Sequence, residues 1–287
     1  MALLFTCATN LYQYELVLLS TLANELKYKL TVCGHDMKWV GWRTKMKAYL
    51  NALNEVEDEN AIAVCADAYD TLPLKDAYEF ESLYKEHFGN YGLVASAESN
   101  CIPGICKPLS EWLTYSPHGG DKVKSSRFYA NAGLICGTVK GLKEFWLYAL
   151  KNGFKDDQYA LGHYLNKNFL NGVIDHENVL MQTSVTMNTS TNADNIITRD
   201  SLNGKNGPAF LHLPGLKYFS LQRKNYSFAV KELTQRLNME HILEFKWATR
   251  YVPFELDSFS IKILIALAIS MLCCTFFATK WMLSITK

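Results

Sequence analysis

The sequence predicts an α/β fold, with a mostly parallel sheet flanked by helices and one C-terminal transmembrane helix. Three observations carry that expectation. Short apolar runs alternate with helically periodic ones, polar residues stand at the exits of the apolar runs, and an uncharged apolar stretch lies near the C-terminus. Alternation of this kind favours strands joined through helices, and the carboxyl ends of such strands line the ligand crevice.

The runs follow in order. Ala2 to Asn10, "ALLFTCATN", reads as a buried strand ending in turn residues, and "YELVLLSTLANEL" from Tyr14 shows helical spacing. "KLTVCG" returns to strand with Gly34 as its stop, and "RTKMKAYLNALNEV" from Arg43 is helical. "AIAVCAD", "YGLVASAES" and "NAGLICGTV" read as further strands, followed by helices at "LKEFWLYALKNG" and "DQYALGHYLNKN". Thr186 to Pro208 is polar and rich in turn formers, so it reads as a loop or hairpin. "FLHLPGLKYF" resumes apolar structure, and residues 229–248 read as a helix. Asn10, Gly34, Asp67 and Glu98 all fall at expected strand exits.

At 287 residues, with 49% hydrophobic and 13% aromatic content, the chain has ample material for a core. A formal net charge of +1 with scattered Lys and Arg argues against a nucleic-acid surface. Ile263 to Thr279, "ILIALAISMLCCTFFAT", carries no charge and lies between Lys262 and Lys280. Flanking apolar residues extend it toward the roughly 30 Å a bilayer core demands. The expected organisation is a globular domain over 1–228, a helical connector over 229–258 and a membrane anchor over 259–285. The first basic residue is Lys27 and Glu15 interrupts the early apolar stretch, so no signal peptide is expected. A tail anchor would leave the domain facing the cytosol. The sequons at Asn188 and Asn225 would matter only in a lumenal setting. Six cysteines outside the anchor are widely spaced and read as buried free thiols, with Cys101 and Cys106 as candidates for pairing.

Several segments could carry chemistry. Asp67 and Asp70 frame the exit of a buried strand, which suits either a capped turn or a hard cation such as Mg²⁺ or Mn²⁺. His212 in "HLPGLK" can supply a further ligand, Gly215 lets backbone approach a phosphate, and Lys217 adds positive charge; alone, the stretch also reads as a histidine before a turn. Asp156 and Asp157 read first as a helix N-cap, with a role beside a sugar-like transition state as the alternative. Asn131 in "YANAGLICG" can grip a hydroxyl or simply start a core strand.

Taken in order, "ADAYD", "VASAES", "YANAGLICG", "KDDQYAL" and the later His-x-x-Gly-x-Lys resemble the glycosyltransferase domain of the procollagen lysyl hydroxylases, from about Leu3 to Lys217. "GVIDHENVLMQT" also resembles a family stretch. The resemblance implies a GT-A-like fold and a hexose, glucose or galactose, moved from a UDP-sugar to a hydroxyl acceptor with retention. It implies Mn²⁺ on Asp67, Asp70 and His212, and phosphate contacts from Lys217. "WVGWRTKMK", with Trp42 and Lys45, resembles the nucleotide-contacting segment. Asn131, Asp156 and Asp157 would face the donor sugar or the acceptor. Two departures stand out: Ile102 precedes Pro103 where the family places tryptophan, and Leu213-Pro214-Gly215 replaces a Gly-Asn-Gly run. Two other classes use similar residues. One is a metal-dependent phosphoryl or nucleotidyl transferase, and the other is an inactive membrane-tethered module that binds sugar nucleotides.

Overall fold

The computed structural model describes residues 1–99, 129–168, 170–184, 197–199, 202, 207–216 and 220–239, all within one compact unit, Met1–Glu244. Fifteen elements lie among the described residues. They are β1 (Leu3–Cys7), α1 (Tyr14–Glu25), β2 (Lys29–Cys33), α2 (Trp42–Asn54), β3 (Ile62–Asp67), β4 (Thr71–Pro73), α3 (Ala77–Phe88) and β5 (Leu93–Glu98). After these come β6 (Tyr129–Thr138), α4 (Val139–Lys151), α5 (Asp157–Lys167), β7 (Gly172–Asp175), β8 (Met181–Thr183), β9 (Phe210–His212) and α6 (Ser220–Arg236).

The strands form one nine-stranded sheet in the order β2-β1-β3-β6-β5-β8-β9-β4, with β7 also paired to β5. Parallel pairing joins β2, β1 and β3, and again β5 with β7 and β8, and β8 with β9. The β3–β6, β5–β6 and β4–β9 pairs are antiparallel. The sheet is therefore mixed, with parallel pairs in the majority, as expected of the α/β class.

Side chains alternate across each strand, so the sheet has two apolar faces. Phe5, Ala63, Cys65, Ala95 and Ile135 meet Met46 and Tyr49 of α2, Phe145 and Trp146 of α4, and Leu161 and Tyr164 of α5. Leu4, Val64, Ala66, Val94, Leu134 and Cys136 meet α1 and α3 on the other face. Tyr49 stacks on Trp146 with ring centroids 5.1 Å apart, and both are fully buried. Burial of each such side chain contributes roughly 1.5–3 kcal/mol, enough for α2 and α4 to fix the helical layer on that face. A third cluster seats α6 through Tyr226, Ala229, Val230 and Leu233 against α1, β4 and β9.

Helix α3 is absent from the sequence expectation. Asp76 caps it, accepting from Tyr78 N and Glu79 N, and Phe80 and Tyr84 bury one face. The helix expected to begin near residue 229 begins at Ser220, because Tyr226 packs with the same stripe as Val230 and Leu233. It therefore runs across the expected boundary at 228/229. Asn225 lies within this helix, and Asn188 lies outside the described residues. Cys7, Cys33, Cys65 and Cys136 are free thiols, the last three buried as expected and Cys7 only partly buried, whereas Cys101 and Cys106 lie outside the described residues. Among the described residues no helix is long and apolar enough to cross a membrane, and the stretch 259–285 lies outside them.

Candidate active site

The carboxyl ends of β1, β2, β3 and β5 deliver Cys7, Cys33, Asp67 and Glu98 to one edge of the sheet. Short strand β4, directly after Asp70, pairs antiparallel with β9, setting Thr71 opposite His212. Leu213 N donates to Asp70 O at 2.8 Å and closes that corner. Two segments distant in sequence thus meet at one point. Asp67, Asp70 and His212 each offer one ligand atom, all within 4.8 Å of one another.

The histidine is 1% exposed, against 30% for Asp67 and 19% for Asp70. Its Nε2 lies 3.3 Å from Asp70 Oδ1 and 3.8 Å from Asp67 Oδ2. Neither approach makes a hydrogen bond of normal geometry, and both Nε2 and Asp70 Oδ1 are buried without a hydrogen-bond partner. The other ring nitrogen is tied down. Thr183 Oγ1 donates to Ser96 Oγ at 2.9 Å, and Ser96 Oγ donates to Asn131 O at 3.4 Å. With its own proton committed, Thr183 Oγ1 accepts from His212 Nδ1–H at 3.3 Å. That relay assigns the tautomer and leaves the Nε2 lone pair facing two carboxylates.

A lone pair facing two carboxylates requires a positive charge between them. Burial of His212 opposes charging the ring, but Asp70 and then Asp67 outweigh it and hold its pKa above the usual histidine value. A divalent cation would take the place of that proton. Two carboxylates and one imidazole with a fixed second nitrogen suit such an ion, so the residues present fit the expected metal. Gly133 completes the cradle: a Cβ there would lie 2.2 Å from His212 Cε1 and 2.7 Å from Asp67 Oδ2.

Lys45 occupies the middle of the site. Its Nζ lies 2.6 Å from Asp67 Oδ1 and 2.7 Å from Asp157 Oδ2, and donates to Ala132 O at 3.2 Å. It also lies 5.7 Å from the centre of the Trp42 ring. Burial works against its charge, yet Asp157 and Asp67 outweigh it and hold its pKa well above the usual lysine range. Trp42 itself is 45% exposed at the rim and meets Trp39 edge-on, with ring centroids 5.5 Å apart.

The paired acids of α5 divide their work. Asp156 is the N-cap, its Oδ1 accepting from Tyr159 N at 2.7 Å, while Asp157 is buried and faces Lys45. Burial raises the Asp156 pKa despite that backbone bond. Asn131 is buried, accepts from Gly133 N at 2.8 Å and donates to Gln158 Oε1 at 3.3 Å. Gln158 in turn donates to Glu98 Oε1 at 2.6 Å. Burial pushes the Glu98 carboxyl up to about 7, against the hydrogen bonds from Asn131 and Gln158. Gly215 lies in the turn after β9 with φ +86°, a conformation glycine adopts freely. Lys217 lies outside the described residues.

Of the expected site residues, Asp67, Asp70 and His212 form one cluster, and Lys45 ties it to Asp157. Asn131 reaches the cluster through its backbone oxygen, via Ser96 and Thr183. Glu98, Gln158, Ser96, Thr183 and Gly133 complete the site; none was given a role from the sequence, though all five lie within the stretches that carry the family resemblance and Glu98 was also expected at a strand exit.

No curated protein sequence matches the chain. Among solved structures, it is similar to a glycosyltransferase involved in the glycosylation of the major capsid of PBCV-1. That match has a TM-score of 0.41 at 8% identity, over 79% of this chain and 98% of the other. The model of the PLOD GT domain family matches residues 2–204, a span that includes Lys45, Asp67, Asp70, Asn131, Asp156 and Asp157 and stops short of His212. The chain belongs to the PLOD GT domain family, a family of glycosyltransferase domains.

Proposed function

We propose that the chain is a metal-dependent hexosyltransferase that moves glucose or galactose from a UDP-sugar to a hydroxyl acceptor on a protein or glycan. The observation that carries this reading is the meeting of Asp67, Asp70 and His212, with Nε2 presented to both carboxylates. These residues would hold Mn²⁺, whose charge when bound neutralises a departing diphosphate. Lys45 keeps Asp67 and Asp157 in a fixed relation, so the metal side and the α5 side of the crevice form one preorganised unit. Asp157 and Asn131 would orient the donor sugar and the acceptor hydroxyl, with Asp156 holding the end of α5. Trp42, Gly215 and Lys217 would contact the nucleotide and its phosphates. The transferase domain would include all of α6, whose Ala229, Val230 and Leu233 pack in its core, and residues 259–285 would serve as a membrane anchor.

The test is release of UDP from a panel of UDP-sugars by the full chain in detergent, with Mn²⁺ and with EDTA, beside Asp70→Asn. Metal-dependent release of UDP and free sugar from one donor, lost in the variant, is the expected result. Cleavage within the phosphates would instead identify a phosphoryl or nucleotidyl transferase. Binding of UDP with no turnover on any donor or acceptor would identify a tethered binding module.

A further inference from the structure

Cys7 and Cys33 end β1 and β2 and are direct register partners. Register partners on parallel strands project to the same face with Cα atoms about 4.8 Å apart, within the span a disulfide bridges. The Cys7 sulfur leans toward β2, since a Cβ built on Gly34 would lie 3.0 Å from it. Cys33 Sγ donates to Thr6 O at 3.3 Å, the carbonyl of the residue just before Cys7. Cys33 is buried, whereas Cys7 is partly open. On its other side Cys7 is the register partner of Asp67. The proposed transferase chemistry uses neither sulfur.

We infer that Cys7 and Cys33 form a dithiol modification site that closes to a disulfide on exchange with a low-molecular-weight disulfide such as oxidised glutathione, and that closure weakens cation binding at Asp67. The second half rests on the metal reading above. In the first step the Cys7 thiolate attacks one sulfur of glutathione disulfide, that S–S bond breaks, and one glutathione leaves carrying the Cys7 proton. Cys33 then attacks the Cys7 sulfur, the mixed disulfide breaks, and the second glutathione leaves with the Cys33 proton. The cysteines lose two electrons and two protons, and the glutathione disulfide gains them. Cys7 enters first because it is the more open sulfur. Closing the bridge brings the two Cβ atoms to about 3.8 Å and draws the end of β1 toward β2, away from Asp67 on β3.

The experiment exposes the full chain in detergent to oxidised glutathione, followed by alkylation and peptide mass spectrometry. The expected product is a linked Cys7–Cys33 peptide that has lost two hydrogens. Cys33→Ser should instead trap a glutathione adduct on Cys7, and Cys7→Ser should leave Cys33 unmodified. Mn²⁺ titration should show at least tenfold weaker binding after oxidation, restored by a phosphine reductant, with no such change in Cys7→Ser. A persistent glutathione adduct on Cys7 of the parent chain, or no modification, would overturn the dithiol. A linked peptide with unchanged Mn²⁺ affinity would overturn the coupling to Asp67. If the reduced chain binds no Mn²⁺, the metal reading fails, and the linked peptide still decides the dithiol.

Discussion

Lys45 Nζ lies 2.6 Å from Asp67 Oδ1, and the same ammonium reaches Asp157 Oδ2 at 2.7 Å. One buried cation therefore holds together an acid at the end of β3 and an acid in the first turn of α5. Removing it leaves two carboxylates facing each other in a poorly solvated crevice. Lys45→Met should lower stability by about 3–5 kcal/mol, the usual cost of breaking a buried pair from one side. Asp157→Asn in the Lys45→Met background should recover part of that loss. Urea unfolding of the four proteins of this double-mutant cycle measures both effects, and strict additivity would deny the coupling.

Gly133 lies so close to His212 and Asp67 that a methyl group there must displace the imidazole ring. Gly133→Ala should abolish Mn²⁺ binding and cost roughly 1–3 kcal/mol of stability from overpacking. Isothermal titration with Mn²⁺ checks the first effect and thermal unfolding the second. Parent-like affinity in Gly133→Ala would show that His212 does not need its present position.

Thr183 acts on His212 from behind, accepting from Nδ1 and donating to Ser96 Oγ. Thr183→Val keeps the shape and removes the acceptor. Loss of such a support costs about 10–100-fold in metal affinity. Thr183→Ser restores an acceptor and should recover most of the affinity, which separates orientation of the ring from simple packing.

Glu98 makes stability depend on pH. Its folded pKa of about 7 lies above the ordinary 4.5, so the native state keeps a proton that the unfolded chain gives up. Stability should therefore fall as pH rises from about 4.5 to about 7 and then level off, by about 3 kcal/mol from this group. Glu98→Gln keeps an acceptor for Gln158 and needs no proton. Its melting temperature should exceed the parent's at pH 8 and match it near pH 4.5. Equal melting temperatures at both pH values would show that Glu98 ionises normally in the fold.

Much of this was legible in the sequence, and what was hidden has physical reasons. Asp67 and Glu98 could be placed at strand exits because the apolar runs before them are continuous and end abruptly. Helix α3 carried a readable signal in Asp76 and Glu79, a capping pattern followed by Phe80 and Tyr84 at helical spacing. Strands β4 and β9 are three residues each, too short for any periodicity, so the pairing that brings His212 to Asp70 could not be read. Lys45 was readable as a nucleotide contact through the resemblance of "WVGWRTKMK", but only the packing of α2 against the sheet aims it at two acids. The irregular β5–β6 pairing between Ala95 and Ser96 sets Ser96 opposite Asn131 rather than continuing the register that pairs Ala95 with Ile135. Such a shift belongs to the register between strands and leaves no mark on one strand alone.

Asp67, Asp70 and His212 are expected to hold one divalent cation between them. Titration of the full chain with Mn²⁺, followed by electron paramagnetic resonance, tests it most directly, with Asp70→Asn and His212→Ala beside the parent. One bound ion per chain, released by EDTA and absent from both variants, is the result the structure leads to. Equal Mn²⁺ binding by the parent and both variants would place the ion elsewhere and rule out these three residues as its ligands.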